Sequence, residues 1–484
     1  MSEEKIFGLH MGPAKCALDL GDGSERGEYV DQDYILNKLG RPHRAISLMY
    51  CYYPKDPKWP ERVSVAYQND GSGAWGYPYD DYFTYKGGLK GNTDGEPFEY
   101  MRDIRRHGQD VLLTLTIDPK LEDEYIVAIA RDLRKFGRVM LRINHEATGN
   151  WFSFNKRASY EEVAAFFANA ANIIHREAPN VKVILCLDGF KELDEEKMDK
   201  EDIFKEAIKA ADIESVDRYL ALHWGWPYDV AMEGGNSFAR YSGKKIYACT
   251  KKSSKRYDEI NGFKKPMVLS ELNADGDVTG AYDQAQMMKD FCDWLKKDED
   301  KWLSGFTMYQ MRDRGRLGLE IEDPNNKNVG IEQPLMDTYK EILKDEYFMP
   351  SMEVKEEIKL PVTLRWGGAE DAEGLFLPIH FEKEPVFCEA YFEGELENAN
   401  LMMEINGRWF YKAPGVKCID FMPAFYKNRF EGCKDLNLKL FAPPSSGEND
   451  ITGFEDGLIN SYTEIKALPK LRIAYKPVTE DLDK

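Results

Sequence analysis

The chain has 484 residues, 43% of them hydrophobic and 13% aromatic, with a formal net charge of −20. That length exceeds one ordinary domain and can bury a large core. Such an acidic surface repels nucleic acid and anionic membranes, which excludes both as expected partners, and no apolar run approaches the ~18 residues of a membrane span. In chain order, short apolar runs predict strands at 6–11, 45–52, 111–117, 139–145, 181–187, 219–223, 266–272 and 305–310. Most lack strict alternation, as parallel strands covered on both faces do. Helical periodicity falls between them, at 121–136, 159–176, 282–297 and 334–343. Ser159 is placed to cap the second of these helices, with Glu162 three residues on. Eight strand–helix alternations in about 350 residues predict a (β/α)₈ TIM barrel over residues 1–348. No Gly-x-Gly-x-x-Gly follows the first strand, which argues against a doubly wound open sheet.

Beyond Tyr347 the periodicity changes. Short strand-like pieces alternate with turn signals, and Asn406-Gly407 reads as a two-residue hairpin turn. Residues 353–480 are expected to form an all-β sandwich; its Trp366, Trp409, Phe410 and Tyr411 suit a carbohydrate-binding platform, the sandwich core or a contact with the barrel.

The cysteines, at 16, 51, 186, 249, 292, 388, 418 and 433, form no Cys-x-x-Cys pair or Cys/His cluster. No metal site and no organic cofactor is expected. The opening Met-Ser-Glu-Glu-Lys is polar and acidic, unlike a signal peptide. With thiols inside strands, this favours a cytoplasmic protein, or a secreted one if a leader has been removed.

Residues 138–154 carry the most chemistry. An apolar strand runs into His145-Glu146, followed by Gly149-Asn150-Trp151-Phe152-Ser153-Phe154. Strand side chains alternate, so Met140, Arg142, Asn144 and Glu146 share a face, with Glu146 last, at the carboxyl end where barrel enzymes place their sites. On the seventh strand Met267, Leu269 and Glu271 share a face, and Glu271 is again last. Two glutamates facing each other at ~5–5.5 Å are the equipment of retaining glycoside hydrolysis, with Glu146 as acid/base and Glu271 as nucleophile. Aromatic cover by Trp151 and the charge of Glu271 would both raise the pKa of Glu146. Arg142, His223 and Tyr228 are candidates to hold Glu271 ionised. Tyr50, Tyr52, Tyr53, Trp75, Tyr77 and Tyr79 suit an aromatic sugar cleft, and His10 is a candidate for its floor.

Arg142-x-x-His145-Glu146-x-x-Gly149-x-Trp151-Phe152 resembles the acid/base segment of glycoside hydrolase family 26, the β-mannanase family, within a clan of retaining barrel glycosidases. Lys265-Pro-Met-Val-Leu-Ser-Glu271 is similar to that family's nucleophile strand. The resemblance implies Glu146 and Glu271 as the catalytic pair, His145 as a substrate contact and Trp151 as a sugar platform. The chain departs from the family at the eighth strand, where Tyr309-Gln310 stands in place of a usual tryptophan. It departs again after the sixth, where His223-Trp224-Gly-Trp-Pro-Tyr228 replaces an Asp-containing segment whose tyrosine touches the nucleophile. The charged loop 312–320 has no counterpart in the family pattern and could take a charged sugar. The expectation is a retaining hydrolase of a β-linked glycan, β-mannan foremost, with carbohydrate as its partner. A β-glucan, β-xylan or acidic glycan is the alternative substrate, and a non-catalytic carbohydrate-binding protein the alternative class. A lyase or aldolase barrel is disfavoured, since no strand-end lysine or metal cluster stands out.

Overall fold

A computed structural model describes residues 5–23, 29–66, 83–197, 200–223, 238–240, 243–366, 372–426, 430, 432–443 and 461–476. Its centre is a closed parallel barrel of eight strands: Ala17–Gly21, Ala45–Tyr52, Asp110–Ile117, Val139–Ile143, Val181–Leu187, Ile213–Tyr219, Met267–Asn273 and Gly305–Met308. The first strand pairs in parallel with both the second and the eighth, which closes the ring. The helices pack outside it and include Gln32–Leu39, Asp123–Leu133, Tyr160–Glu177 and Ala281–Lys297. Tyr160–Glu177 starts at the expected place. The Ser159 side chain accepts from the Glu162 backbone N–H, and the Glu162 carboxylate accepts from the Ser159 N–H, so two otherwise orphaned donors are satisfied. Outward-facing strand residues and the inner helix faces merge into one apolar core that runs from Cys16 to Phe348.

Two strands differ from expectation. The run at 6–11 is a strand, Ile6–Gly12, but it is not part of the barrel. It pairs antiparallel with Ser351–Ile358 and Ala372–Phe381 in the C-terminal sheet. The true first barrel strand, Ala17–Gly21, carries Asp19 in its middle, buried on Arg44. The run at 219–223 is likewise misplaced, because the sixth barrel strand is Ile213–Tyr219. Ala221–His223 leaves the barrel to pair with Phe238–Arg240.

The C-terminal part has two antiparallel sheets. The larger runs Ser351–Ile358, Ile6–Gly12, Ala372–Phe381, Lys434–Phe441, Leu401–Ile405, Arg408–Lys412, with Val362–Trp366 and Ser461–Ile465 attached. The smaller holds Cys418–Asp420, Pro385–Tyr391 and Lys470–Tyr475. Leu375, Phe381, Cys388, Met403 and Leu440 meet between them in a shared core, the arrangement of a sandwich. Asn406 and Gly407 both have positive φ, 53° and 80°, as a type I′ hairpin turn requires.

The barrel and the sandwich meet at Gln32–Leu39. Leu36 packs with Leu9, Met402, Trp409 and Phe441, and the Trp409 N–H donates to the Gly40 carbonyl at 2.8 Å. Tyr411 lies against His107, ring centres 4.0 Å apart. Trp409 and Tyr411 therefore belong to this contact, while Phe410 packs on Phe421 of the sandwich core. The side chain of Trp366 lies outside the described residues. No helix among the described residues is long and apolar enough to cross a membrane.

Candidate active site

The fourth barrel strand ends at Ile143, and the next residues are pinned on both sides. The Asn144 N–H donates to Leu115 O at 3.0 Å, and Asn144 Oδ1 accepts from the Ile117 N–H at 2.6 Å. The Ala147 N–H donates to Cys186 O at 3.0 Å. Asn144 and Glu146 both have φ of +49°. Asparagine tolerates this region, but for glutamate it costs roughly 1–2 kcal/mol, so the flanking hydrogen bonds must hold it there. The turn lifts Glu146 out of the strand, onto the carboxyl rim. Trp151 Nε1 donates to Glu146 Oε2 at 2.6 Å. Gly149 makes that contact possible, because a Cβ there would fall 2.6 Å from the Trp151 ring.

The opposite wall is a charge cluster. Arg142, four residues before Glu146 and 0% exposed, donates from Nε to Thr114 Oγ1 at 2.8 Å. Its Nη1 reaches both Asp217 oxygens at 2.9 Å, and Nη2 reaches Glu271 Oε1 at 2.8 Å. The Tyr219 hydroxyl donates to the other oxygen, Glu271 Oε2. Glu271 is 7% exposed, and each of its oxygens has a protein donor. One guanidinium thus serves two carboxyl groups beneath the rim. Burial pushes the Glu146 carboxyl well above the usual carboxylate range, the charges of Asp217, Glu271 and Asp188 push it further, and the Trp151 hydrogen bond opposes them. Burial also raises Asp217, to about 8; Arg142 opposes and Glu271 adds to the rise. Such a pair of carboxyls, one held neutral and one provided with donors, can protonate a leaving group on one side and attack on the other.

The structure therefore brings Arg142, Glu146, Trp151 and Glu271 to one rim. Tyr309 joins them at the end of the eighth strand, its ring edge-on to Tyr219 at 5.8 Å. His145 is buried below, 4.3 Å from Phe152, and burial with the nearby Arg142 charge holds it neutral, well below the usual histidine range. Phe152 and Phe154 stack on each other inside the core rather than facing an opening. His10 is not at the rim, because its strand lies in the C-terminal sheet opposite Glu353 and Glu373. Trp75, Tyr77, Tyr79, Trp224 and Tyr228 lie outside the described residues, as does the side chain of His223. Tyr50, Tyr52 and Tyr53 are buried, with the Tyr53 hydroxyl 2.5 Å from Ser153 Oγ. In the loop after the eighth strand, Arg312 is bound to Glu320 and Arg316 lies 3.5 Å from Asp277, so most of its charge is matched internally.

Sequence reasoning missed Asp217 and Tyr219. Their signal was present: Asp217-Arg218-Tyr219 has the i, i+2 spacing that puts the first and last on one strand face. Among the described residues it is Tyr219, on the sixth strand itself, whose hydroxyl meets Glu271. Among the described residues no group of three His, Cys, Asp or Glu side chains is arranged to hold a metal ion.

No family model matches the chain, and no curated protein matches it. Several solved structures align to it weakly. The catalytic domain of a family 26 endo-β-1,4-mannanase from Bacillus sp. JAMB-750 aligns with a TM-score of 0.43 at 13% identity, covering 69% of this chain and 87% of that one. An endo-β-1,4-mannanase double mutant from Cellulomonas fimi gives 0.42 at 10% identity, covering 93% of each chain. A β-glucosidase from Thermotoga maritima gives 0.43 at 12% identity, covering 66% of this chain and 86% of that one. At these scores the likeness carries no argument.

Proposed function

We propose that this chain is a retaining glycoside hydrolase acting on a β-linked glycan, with β-mannan as its substrate. The observation that carries the reading is the asymmetry of the two rim carboxyls. Glu271 is oriented by Arg142 and Tyr219, while Glu146 is pushed toward its protonated form by burial and by neighbouring carboxylates. In the first step Glu271 attacks the anomeric carbon as Glu146 gives its proton to the departing glycosidic oxygen. In the second, Glu146 takes a proton from water, which displaces Glu271 from the glycosyl-enzyme. Trp151 has two roles in this scheme: its N–H fixes the Glu146 rotamer, and its ring faces the sugar. The mannan assignment rests on the resemblance of residues 142–152 to the family 26 motif.

The test is a 2-deoxy-2-fluoro-β-mannosyl fluoride, which accumulates the covalent intermediate. Intact mass should rise by one fluoromannosyl group, and the label should map to the peptide holding Glu271. Glu271→Ala should take no label, lose turnover by about 10⁴-fold or more and keep its thermal melt. A Glu271→Ala protein with full activity would remove the assignment. Labelling by the gluco but not the manno reagent would keep the mechanism and move the substrate to a β-glucan.

A further inference from the structure

Between the amino end of the barrel and the sandwich lies a cleft of about 1450 Å³. Its floor is made by residues that open or immediately precede seven of the eight barrel strands, from Ala17 on the first to Ser304 before the eighth. Its far wall is the hairpin at residues 406–409, with Pro423, Ala424 and Tyr426. The catalytic rim is at the other end of the strands, so this cleft is not an extension of the sugar site.

Its charge is opposite to that of the chain. The whole protein carries −20, yet the cleft is lined by nine Lys and Arg residues against four Asp and Glu. Some of these cations are matched: Arg44 sits on Asp19, Arg138 on Asp110 and Lys439 on Glu404. Lys15, Arg41, Lys344 and Arg408 have no carboxylate within ion-pair reach among the described residues. Arg41 is the most telling. It is 8% exposed, and among the described residues its Nε and Nη1 donate to the carbonyls of Pro42, Leu343 and Phe348, with no acceptor there for Nη2. A nearly buried guanidinium with no counter-charge is costly, and an anion entering the cleft would offset that cost. Arg408 gives Nη2 to Asn37 and leaves Nε buried without a partner. At the edge of the same cleft Tyr426 is 70% exposed, an aromatic face offered to solvent beside the cations.

We propose that this cleft binds an acidic saccharide, a sugar ring bearing carboxylate or phosphate groups. The acid groups lie against Arg41, Arg408, Lys15 and Lys344, and a sugar face lies on Tyr426. Concave cationic walls in an otherwise acidic protein concentrate such a ligand locally, and a flat aromatic selects a ring over a bare ion. The site does not depend on the rim carboxyls.

The experiment is calorimetric titration of the full chain carrying Glu271→Gln, so that nothing is turned over. Tetragalacturonate and mannose 6-phosphate are the acidic probes, mannotetraose the neutral control and inorganic phosphate the bare anion. At least one acidic sugar should bind, with affinity falling about tenfold between low and high salt. Lys15→Glu/Lys344→Glu, two exposed positions whose change leaves the fold intact, should weaken that binding at least tenfold without altering mannotetraose. Tyr426→Ala should weaken the sugar but not inorganic phosphate. Equal affinity in the double variant, binding of inorganic phosphate alone, or no binding of either acidic sugar at 10 mM would each overturn the proposal.

Discussion

Arg142 Nη2 and Glu271 Oε1 lie 2.8 Å apart, although their strands are the fourth and seventh of the barrel. The contact crosses the lumen. It fixes the nucleophile candidate from the side on which the acid candidate stands, since Arg142 and Glu146 are four residues apart on one segment. A single side chain thus couples the two halves of the site. Removing it should be expensive: Arg142→Met strips buried Asp217 and Glu271 of the donor they share. Urea unfolding should show a loss of about 3–5 kcal/mol. Arg142→Met combined with Asp217→Asn should recover part of it, because Asp217 then no longer has to take up a proton to stay buried beside Glu271. A loss below about 1 kcal/mol in the single variant would mean the cluster does not hold the barrel in this way.

Tyr219→Phe deletes one hydroxyl, the donor to Glu271 Oε2. A hydrogen bond to a charged group contributes about 1.5–3 kcal/mol, so kcat should fall about 10- to 100-fold. KM should change little and the melting temperature should stay within a few degrees. Unchanged kcat would show that the hydroxyl does not orient the nucleophile.

The pH profile should respond to Trp151. Burial raises the Glu146 carboxyl and the Trp151 N–H opposes the rise by bonding its charged form. Trp151→Phe keeps the ring and removes the donor, so Glu146 should hold its proton to higher pH. The alkaline limb of kcat/KM should therefore move to higher pH, and a shift toward acid would contradict this account. Stability runs the other way. With the folded pKa raised, the unfolded chain releases this proton first, so the wild type should lose stability relative to Glu146→Gln as pH climbs above about 4.

His107 gives a second pH signature, at the contact between the domains. Burial lowers this histidine, but its hydrogen bonds to Asp103 and Asp33 more than compensate and bring it to about 9. Its folded pKa stands above the unfolded value of about 6.5, so its stabilisation is complete below that pH and disappears as pH rises through 9. Chemical unfolding of His107→Gln against wild type should show a gap at pH 6 that closes by about pH 10. A gap independent of pH would indicate that the imidazole only fills space against Tyr411.

The barrel was largely legible because six of its strands are apolar runs that need no partner chemistry to be seen. The other two contain charges that only the closed ring explains. Asp19 interrupts Ala17–Gly21 and is matched by Arg44 at the start of the neighbouring strand. Ile213–Tyr219 contains Glu214, Asp217 and Arg218; Asp217 is matched by Arg142 two strands away, and Arg218 donates to the carbonyls of Asp188 and Phe190. Nearby apolar runs at 6–11 and 219–223 imitated the missing strands while pairing elsewhere. The positions of Glu146 and Glu271 could be read because one lies just past, and the other near, the carboxyl end of a visible strand. Tyr219 was overlooked despite its i, i+2 spacing from Asp217, because the charges of Ile213–Tyr219 disguise the strand that ends on it.

The seating of Ile6–Gly12 has a consequence for biogenesis. This segment is synthesised before the barrel, yet its two neighbours, Ser351–Ile358 and Ala372–Phe381, emerge only after the whole barrel has been made. At bacterial or eukaryotic elongation speeds of roughly 5–20 residues per second, it waits on the order of 20–70 s with both edges bare. During that interval the nascent chain exposes an adhesive ribbon, and the finished sheet closes around a strand made long before either of its neighbours.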